Sequence, residues 1–77
     1  MARAFVLINC ELGSEEQVVS DLKQVGCVKS VYGVFGAYDI LTNLECERLE
    51  ELRQMIISKI RKIDNIRSTI TLMGTGV

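Results

Sequence analysis

Two short segments of this chain repeat one pattern 38 positions apart, and that echo limits the fold more than any other feature. Val25-Gly26-Cys27-Val28-Lys29-Ser30-Val31 and Ile63-Asp64-Asn65-Ile66-Arg67-Ser68-Thr69 both run apolar, turn, apolar, basic, Ser, β-branched. Each closes a stretch of helical periodicity and opens a β-prone run. An offset of this size suits one βαβ unit, so the chain reads as two such units in succession. Its 77 residues leave room for a single domain, 1–77.

The elements between the echoes agree. Residues 4–9 (Ala-Phe-Val-Leu-Ile-Asn) form a short apolar run that predicts a buried strand. After Leu12-Gly13, the Ser-x-x-Gln pattern of Ser14 and Gln17 predicts a capping box. Val18, Leu22 and Val25 then mark one helical face, with Glu15 and Glu16 at its start and Lys23 near its end, and Gly26 follows as a C-terminal stop. Residues 28–35 and 38–44 predict two strands joined by a tight Gly36-Ala37 turn, with Gly33 suggesting a bulge or a close backbone approach. A second helix is expected over 47–62, with Leu49, Leu52, Ile56, Ile60 and Ile63 on one face. Glu47, Glu50 and Glu51 lie near its start and Lys59, Arg61 and Lys62 near its end. Asp64-Asn65 turns the chain into a last strand, 66–73, and residues 74–77 read as a frayed tail. Two right-handed crossovers in the order βαββαβ place both helices on one face of a four-stranded antiparallel sheet. The expected fold is the α+β, ferredoxin-like sandwich.

Such a sheet has a second face. Phe5 and Leu7 point one way and Val6 and Ile8 the other, so an apolar set faces outward whichever set meets the helices. Each Val, Leu or Ile left in water forgoes about 1.5–3 kcal/mol. Several together rival the whole stability of a small domain, so a second copy of the chain is expected to cover them.

Composition narrows the chemistry. With no His, the usual general base, the Ser-His and Cys-His nucleophilic systems and most zinc sites lose their common participant, and no enzyme activity is expected. Nine Lys and Arg against ten Asp and Glu give a net charge of −1, which argues against direct binding to nucleic acid. The longest apolar run, residues 4–8, is far too short to enter a membrane as a helix. Cys10, Cys27 and Cys46 are odd in number and scattered, without a Cys-x-x-Cys pair. They read as small hydrophobes of a protein in the reducing cytoplasm, with no metal or cofactor.

The unusual cluster is Gly33-Val34-Phe35-Gly36-Ala37-Tyr38-Asp39. Glycines let a turn present free backbone N–H groups to a carboxylate, and Asp39 offers an acceptor for a cationic amine, a combination suited to an amino acid. The same residues also suit an ordinary hairpin in which Asp39 satisfies turn amides. Thr69 and Thr71 share one face of the last strand and supply further hydroxyls, although Thr is also a plain β-former. The pairs Glu15-Glu16 and Glu50-Glu51 are adjacent on helices and diverge, so neither predicts an acid–base or metal pair.

The run Val34-x-Gly36-x-Tyr38-Asp39, the amphipathic second helix and Ile63-Asp64-x-Ile66-x-Ser68-Thr69-x-Thr71-Leu72 together resemble the C-terminal RAM domain of Lrp/AsnC transcriptional regulators. The likeness covers residues 4–73 in matching element order. It implies dimers formed through facing sheets and dimers assembled into rings such as octamers or decamers. It also implies an amino-acid effector held in crevices between dimers, with Gly36, Tyr38 and Asp39 on the turn side and Thr69 and Thr71 completing it; Val34, Phe35 and Ala37 of the same turn are expected to line it as well. Family members typically carry a DNA-binding helix-turn-helix ahead of this domain. Here Met1 leads straight into the first strand, so a stand-alone module is expected, acting through full-length Lrp/AsnC relatives. Ala37 stands at an often polar position of the family and Ile70 at a commonly acidic one, which makes the surroundings more apolar. Two other functions fit the same element order, a purely structural oligomeriser and a small dimeric α+β barrel enzyme.

Overall fold

The computed structural model describes residues 1–74. The elements run β1 (Ala2–Cys10), α1 (Glu15–Lys23), β2 (Val28–Gly33), β3 (Ile40–Cys46), α2 (Leu49–Met55) continuing as a π-helical turn (Ile56–Ile60), and β4 (Ile66–Met73). All strand pairs are antiparallel, in the order β2-β3-β1-β4. This is the expected ferredoxin-like sandwich, with β2 and β4 at the edges. Among the described residues no helix is long and apolar enough to cross a membrane.

Strict alternation builds the core. Ala4, Val6, Ile8 and Cys10 of β1 and Ile40, Thr42, Leu44 and Cys46 of β3 are buried beneath Val18 and Leu22 of α1 and Leu52, Ile56 and Ile60 of the second helix. In a regular α-helix a residue four places on falls about 40° past its predecessor, so a Leu52, Ile56, Ile60 series drifts off the sheet. The turn over Ile56–Ile60, closed by Arg61 N–H on Ile56 O at 3.0 Å, winds less per residue and returns Ile60 beneath Ile56. Leu49, expected on the same face, is instead 47% exposed.

The echo of the sequence is an echo of backbone. Both β2 and β4 carry a register shift against their neighbour, between Val28 and Ser30 and opposite Asn9/Cys10, and the extra residues are Lys29 and Arg67. These are the basic positions of the two repeats. Beyond each shift the same bond closes the ladder, Glu45 N–H to Cys27 O at 2.9 Å and Glu11 N–H to Asn65 O at 2.8 Å. Asn65 turns the second unit at φ 70°, a left-handed conformation that Asn tolerates.

Several local expectations are corrected. The bulge lies at Lys29, not at Gly33, which pairs in register with Ile40 and has open space about it. Ser14 caps α1 without a side-chain bond, because Gln17 reaches forward to Asp21 at 2.9 Å instead of back to the cap. Gly26 is not left-handed; α1 ends at Gln24 in a helical conformation. Glu47 precedes α2, and Arg61 and Lys62 follow its π-helical end. Of the expected frayed tail, Gly74 is tied by its N–H to Arg3 O at 2.7 Å, and 75–77 lie outside the described residues.

The largest correction concerns the cysteines. Cys27 and Cys46 form a disulfide, with Cα atoms 5.7 Å apart, so they are not separate small hydrophobes. With them goes the argument from cysteine usage for a reducing compartment. Cys10 is free and buried, as expected of a small hydrophobe.

The face away from the helices carries two adjacent rows. One is Tyr32, Leu41, Leu7 and Ile70; the other is Ser30, Asn43, Phe5 and Leu72. Tyr32, Ile70 and Leu72 are 55%, 44% and 51% exposed, and the cross-strand pair Arg3–Glu45, 3.3 Å apart, stands beside them. On the helix side, Thr42 is fully buried and its hydroxyl has no hydrogen-bond partner. Thr42→Val removes that desolvated group while preserving shape, and is expected to raise stability by about 1 kcal/mol in urea unfolding.

Candidate ligand site

The strands of the hairpin stop earlier than the sequence suggests. β2 ends at Gly33 and β3 begins at Ile40, so residues 34–39 form a six-residue loop instead of a tight Gly36-Ala37 turn. Asp39 holds the loop's end. Its N–H donates to Ile8 O (2.9 Å), its carbonyl accepts from Val34 N–H (2.9 Å), and its Oδ2 accepts from Cys10 N–H (3.0 Å). These bonds dock the loop's end on β1, while Asp39 O still joins the two arms through Val34 N–H and residues 35–38 make the bend. Gly36, at φ 133°, makes the bend in a conformation that other residues rarely adopt.

Among the described residues the amides of Phe35, Gly36, Ala37 and Tyr38 donate to no backbone carbonyl. Phe35 stands wholly in solvent at the tip, Tyr38 is half-buried, and Val34 is half-buried toward α1. A cleft of about 380 Å³ runs between the loop and the start of α1, lined by Glu15, Val19, Gly33, Val34, Phe35, Asp39 and Ile40. Three of the residues singled out in the sequence, Val34, Phe35 and Asp39, therefore share one cleft. Glu15 and Val19 were not expected there. The available signal was that Val19 is apolar yet lies off the Val18, Leu22, Val25 stripe.

Thr69 and Thr71 are elsewhere. They lie on the helix-facing side of β4, opposite Ile8 and Val6, with β1 between them and β3. Two strand spacings, about 10 Å, thus separate Thr69 from the Asp39 end of β3. One chain alone does not bring the threonines to the loop. Thr71 Oγ1 is buried without a hydrogen-bond partner.

The electrostatics of the cleft are acidic. Burial, reinforced by the charges of Asp39 and Glu15 and by a thiol contact to Asp39 Oδ2 at 3.9 Å, pushes the Cys10 thiol up from its ordinary value. A buried thiol held in its protonated form is a poor nucleophile. The cleft is lined by Glu15 on α1 and by Asp39 at the loop's end, and Phe35, one of the residues with an unspent amide, also lines it.

Comparison with known proteins places the fold. A family model described as the Lrp/AsnC ligand binding domain matches residues 3–74. An HTH-type transcriptional regulator of Pyrococcus abyssi is 39% identical over 74 residues, which are 96% of this chain and 47% of that protein. This chain spans about half the length of the curated relatives it matches. A hypothetical protein of Pyrococcus horikoshii superposes with a TM-score of 0.90 at 36% identity, covering 96% of this chain and 89% of that one. The structure of E. coli AsnC gives 0.90 at 26% identity, over 99% of this chain and 52% of the other. On the matched residues and the shared fold, this chain belongs to the Lrp/AsnC ligand-binding-domain family.

Proposed function

We propose that the chain is a non-enzymatic assembly module that binds an amino acid at the 34–39 loop and serves transcriptional control in the cytoplasm together with full-length Lrp/AsnC partners. The observation that carries this reading is a loop whose Phe35, Gly36, Ala37 and Tyr38 amides donate to no backbone carbonyl, adjoining a cleft lined by Phe35, Asp39 and Glu15. Amides suit a carboxylate and carboxylates suit an ammonium, so a zwitterion fits both ends. Dimers form through the Tyr32, Leu41, Leu7, Ile70 face, where the buried Asn43 Oδ1, still without a hydrogen-bond partner, awaits a donor from the second copy. Dimers then join into a ring such as an octamer or decamer, and a neighbouring protomer brings Thr69 and Thr71 to complete the crevice. With its balanced charge, the module leaves nucleic acid to its partners.

A thermal-shift screen of the twenty amino acids, read beside light-scattering mass, tests the proposal. Ligand at 100 times its Kd adds about 2.7 kcal/mol. In a domain of this size that is a rise of roughly 10–20 °C. No shift and no calorimetric heat with any amino acid at millimolar concentration leaves the structural oligomeriser standing.

The role of Asp39 divides between two substitutions. Asp39→Asn keeps an oxygen for Cys10 N–H and removes the charge, and is expected to weaken amino-acid binding by about 1.5–3 kcal/mol, roughly 10- to 150-fold. Asp39→Ala adds the orphaned Cys10 amide, about 1–3 kcal/mol of stability. Calorimetry on the assembled Asp39→Asn variant reads the first effect alone, and unchanged affinity there removes Asp39 from the ligand's shell.

A further inference from the structure

The Cys27–Cys46 disulfide has a third neighbour. Glu51, on the first turns of α2, places a carboxylate oxygen so that it and both sulfurs lie within 4.8 Å of one another. The three residues come from the entry to β2, the exit of β3 and the helix that follows it. Cys46 belongs to the helix-facing set of β3 and is buried, Cys27 is half-buried, and Glu51 is exposed. The Cys27 backbone is fixed against β3 by the bond from Glu45 N–H.

We propose that this cluster is a metal site when reduced: the Cys27 and Cys46 thiolates and the Glu51 carboxylate bind one thiophilic divalent cation of the zinc class, and the disulfide is its metal-free, oxidised alternative. Zinc holds thiolates at about 2.3 Å and carboxylate oxygens at about 2.0–2.2 Å, so ligand atoms around it sit nearly 4 Å apart. The observed spacing meets that once the S–S bond opens and the sulfurs move apart by side-chain rotation. Three protein ligands leave a fourth position for water. The lack of His does not exclude the site, because two thiolates supply the soft donors that select zinc over magnesium or calcium.

The chemistry balances in two steps. A dithiol reductant gives two electrons and two protons to the disulfide and leaves as its own disulfide, and the chain gains two thiols. The cation then displaces both thiol protons to solvent and takes the two thiolates and the carboxylate. Oxidation by a small-molecule disulfide runs the reverse course, reforming the Cys27–Cys46 bond and expelling the metal.

Cobalt(II) reports directly on thiolate ligation. Titrating the reduced chain with Co²⁺ without oxygen is expected to give a thiolate-to-metal charge-transfer band that saturates at one equivalent and bleaches when Zn²⁺ is added. The oxidised chain gives no band. Cys27→Ser abolishes it, and Glu51→Gln, which leaves both cysteines in place, weakens Zn²⁺ binding at least tenfold in competition with a chromophoric chelator. A reduced, folded chain without the band overturns the proposal, as does unchanged affinity in Glu51→Gln. Should reduction unfold the chain, Zn²⁺ must restore its circular dichroism, and failure to do so also overturns the site.

Discussion

Leu7→Glu is expected to turn the assembly into monomers without unfolding the chain. Leu7 sits between Leu41 and Ile70 on the sheet face remote from the helices, at the middle of the apolar rows. A carboxylate there costs little in the free protomer, where the half-buried Leu7 position still reaches water. Between two copies it is desolvated without a partner, at a cost of several kcal/mol. Taking about 4 kcal/mol, the dimer dissociation constant rises roughly a thousandfold. Light scattering or sedimentation at micromolar concentration reads the change, and circular dichroism confirms the retained fold. A variant that keeps the mass of the parent protein places the interface elsewhere.

Loss of the disulfide is the largest expected effect on folding. The bond joins residues separated by 19 positions, and closing a loop of that length restricts the unfolded chain by about 3 kcal/mol. For a domain of under 100 residues that corresponds to a fall in Tm of roughly 12–24 °C. The double substitution Cys27→Ser with Cys46→Ser, compared with the oxidised parent at one protein concentration, measures it without interference from metal. Fixed concentration matters because self-association also raises Tm. A fall of less than about 5 °C shows that the closed loop is ordered in the unfolded state already, and that the bond contributes little.

Much of this structure was legible because two periodicities are clean. The alternation of Ala4, Val6 and Ile8 against Phe5 and Leu7 is the observed division of faces, and Val18 and Leu22 are the observed buried face of α1. What escaped depended on contacts between distant segments. A six-residue loop stands in place of the Gly36-Ala37 turn, and its end is held by the Asp39 carboxylate on the Cys10 amide, 29 positions away, which no local pattern announces. The Ser14 capping box lost to an equally local bond, from Gln17 to Asp21, that the same residues permit. The disulfide, by contrast, left a usable trace. A hairpin centred on Gly36-Ala37 pairs residues equidistant from that centre, and Cys27 and Cys46 are such a pair. Of the candidate site, the loop residues were readable as a run, whereas Glu15 and Val19 joined them only through the packing of α1 beside the loop.

The two register shifts at Lys29 and Arg67 also govern what the sheet cannot do. They fall on β2 and β4, the strands whose outer rims carry unpaired backbone groups. A flat, unbroken rim invites another strand to add on, and continued addition ends in fibrils. An extra residue twists the rim locally and interrupts the spacing of its N–H and C=O groups, and a cationic side chain at that point repels an identical rim. Because the repeat places one such defect on each border, neither end of the sheet can extend indefinitely. A concentrated solution of this apolar-faced protein is thereby steered away from edge-to-edge aggregation.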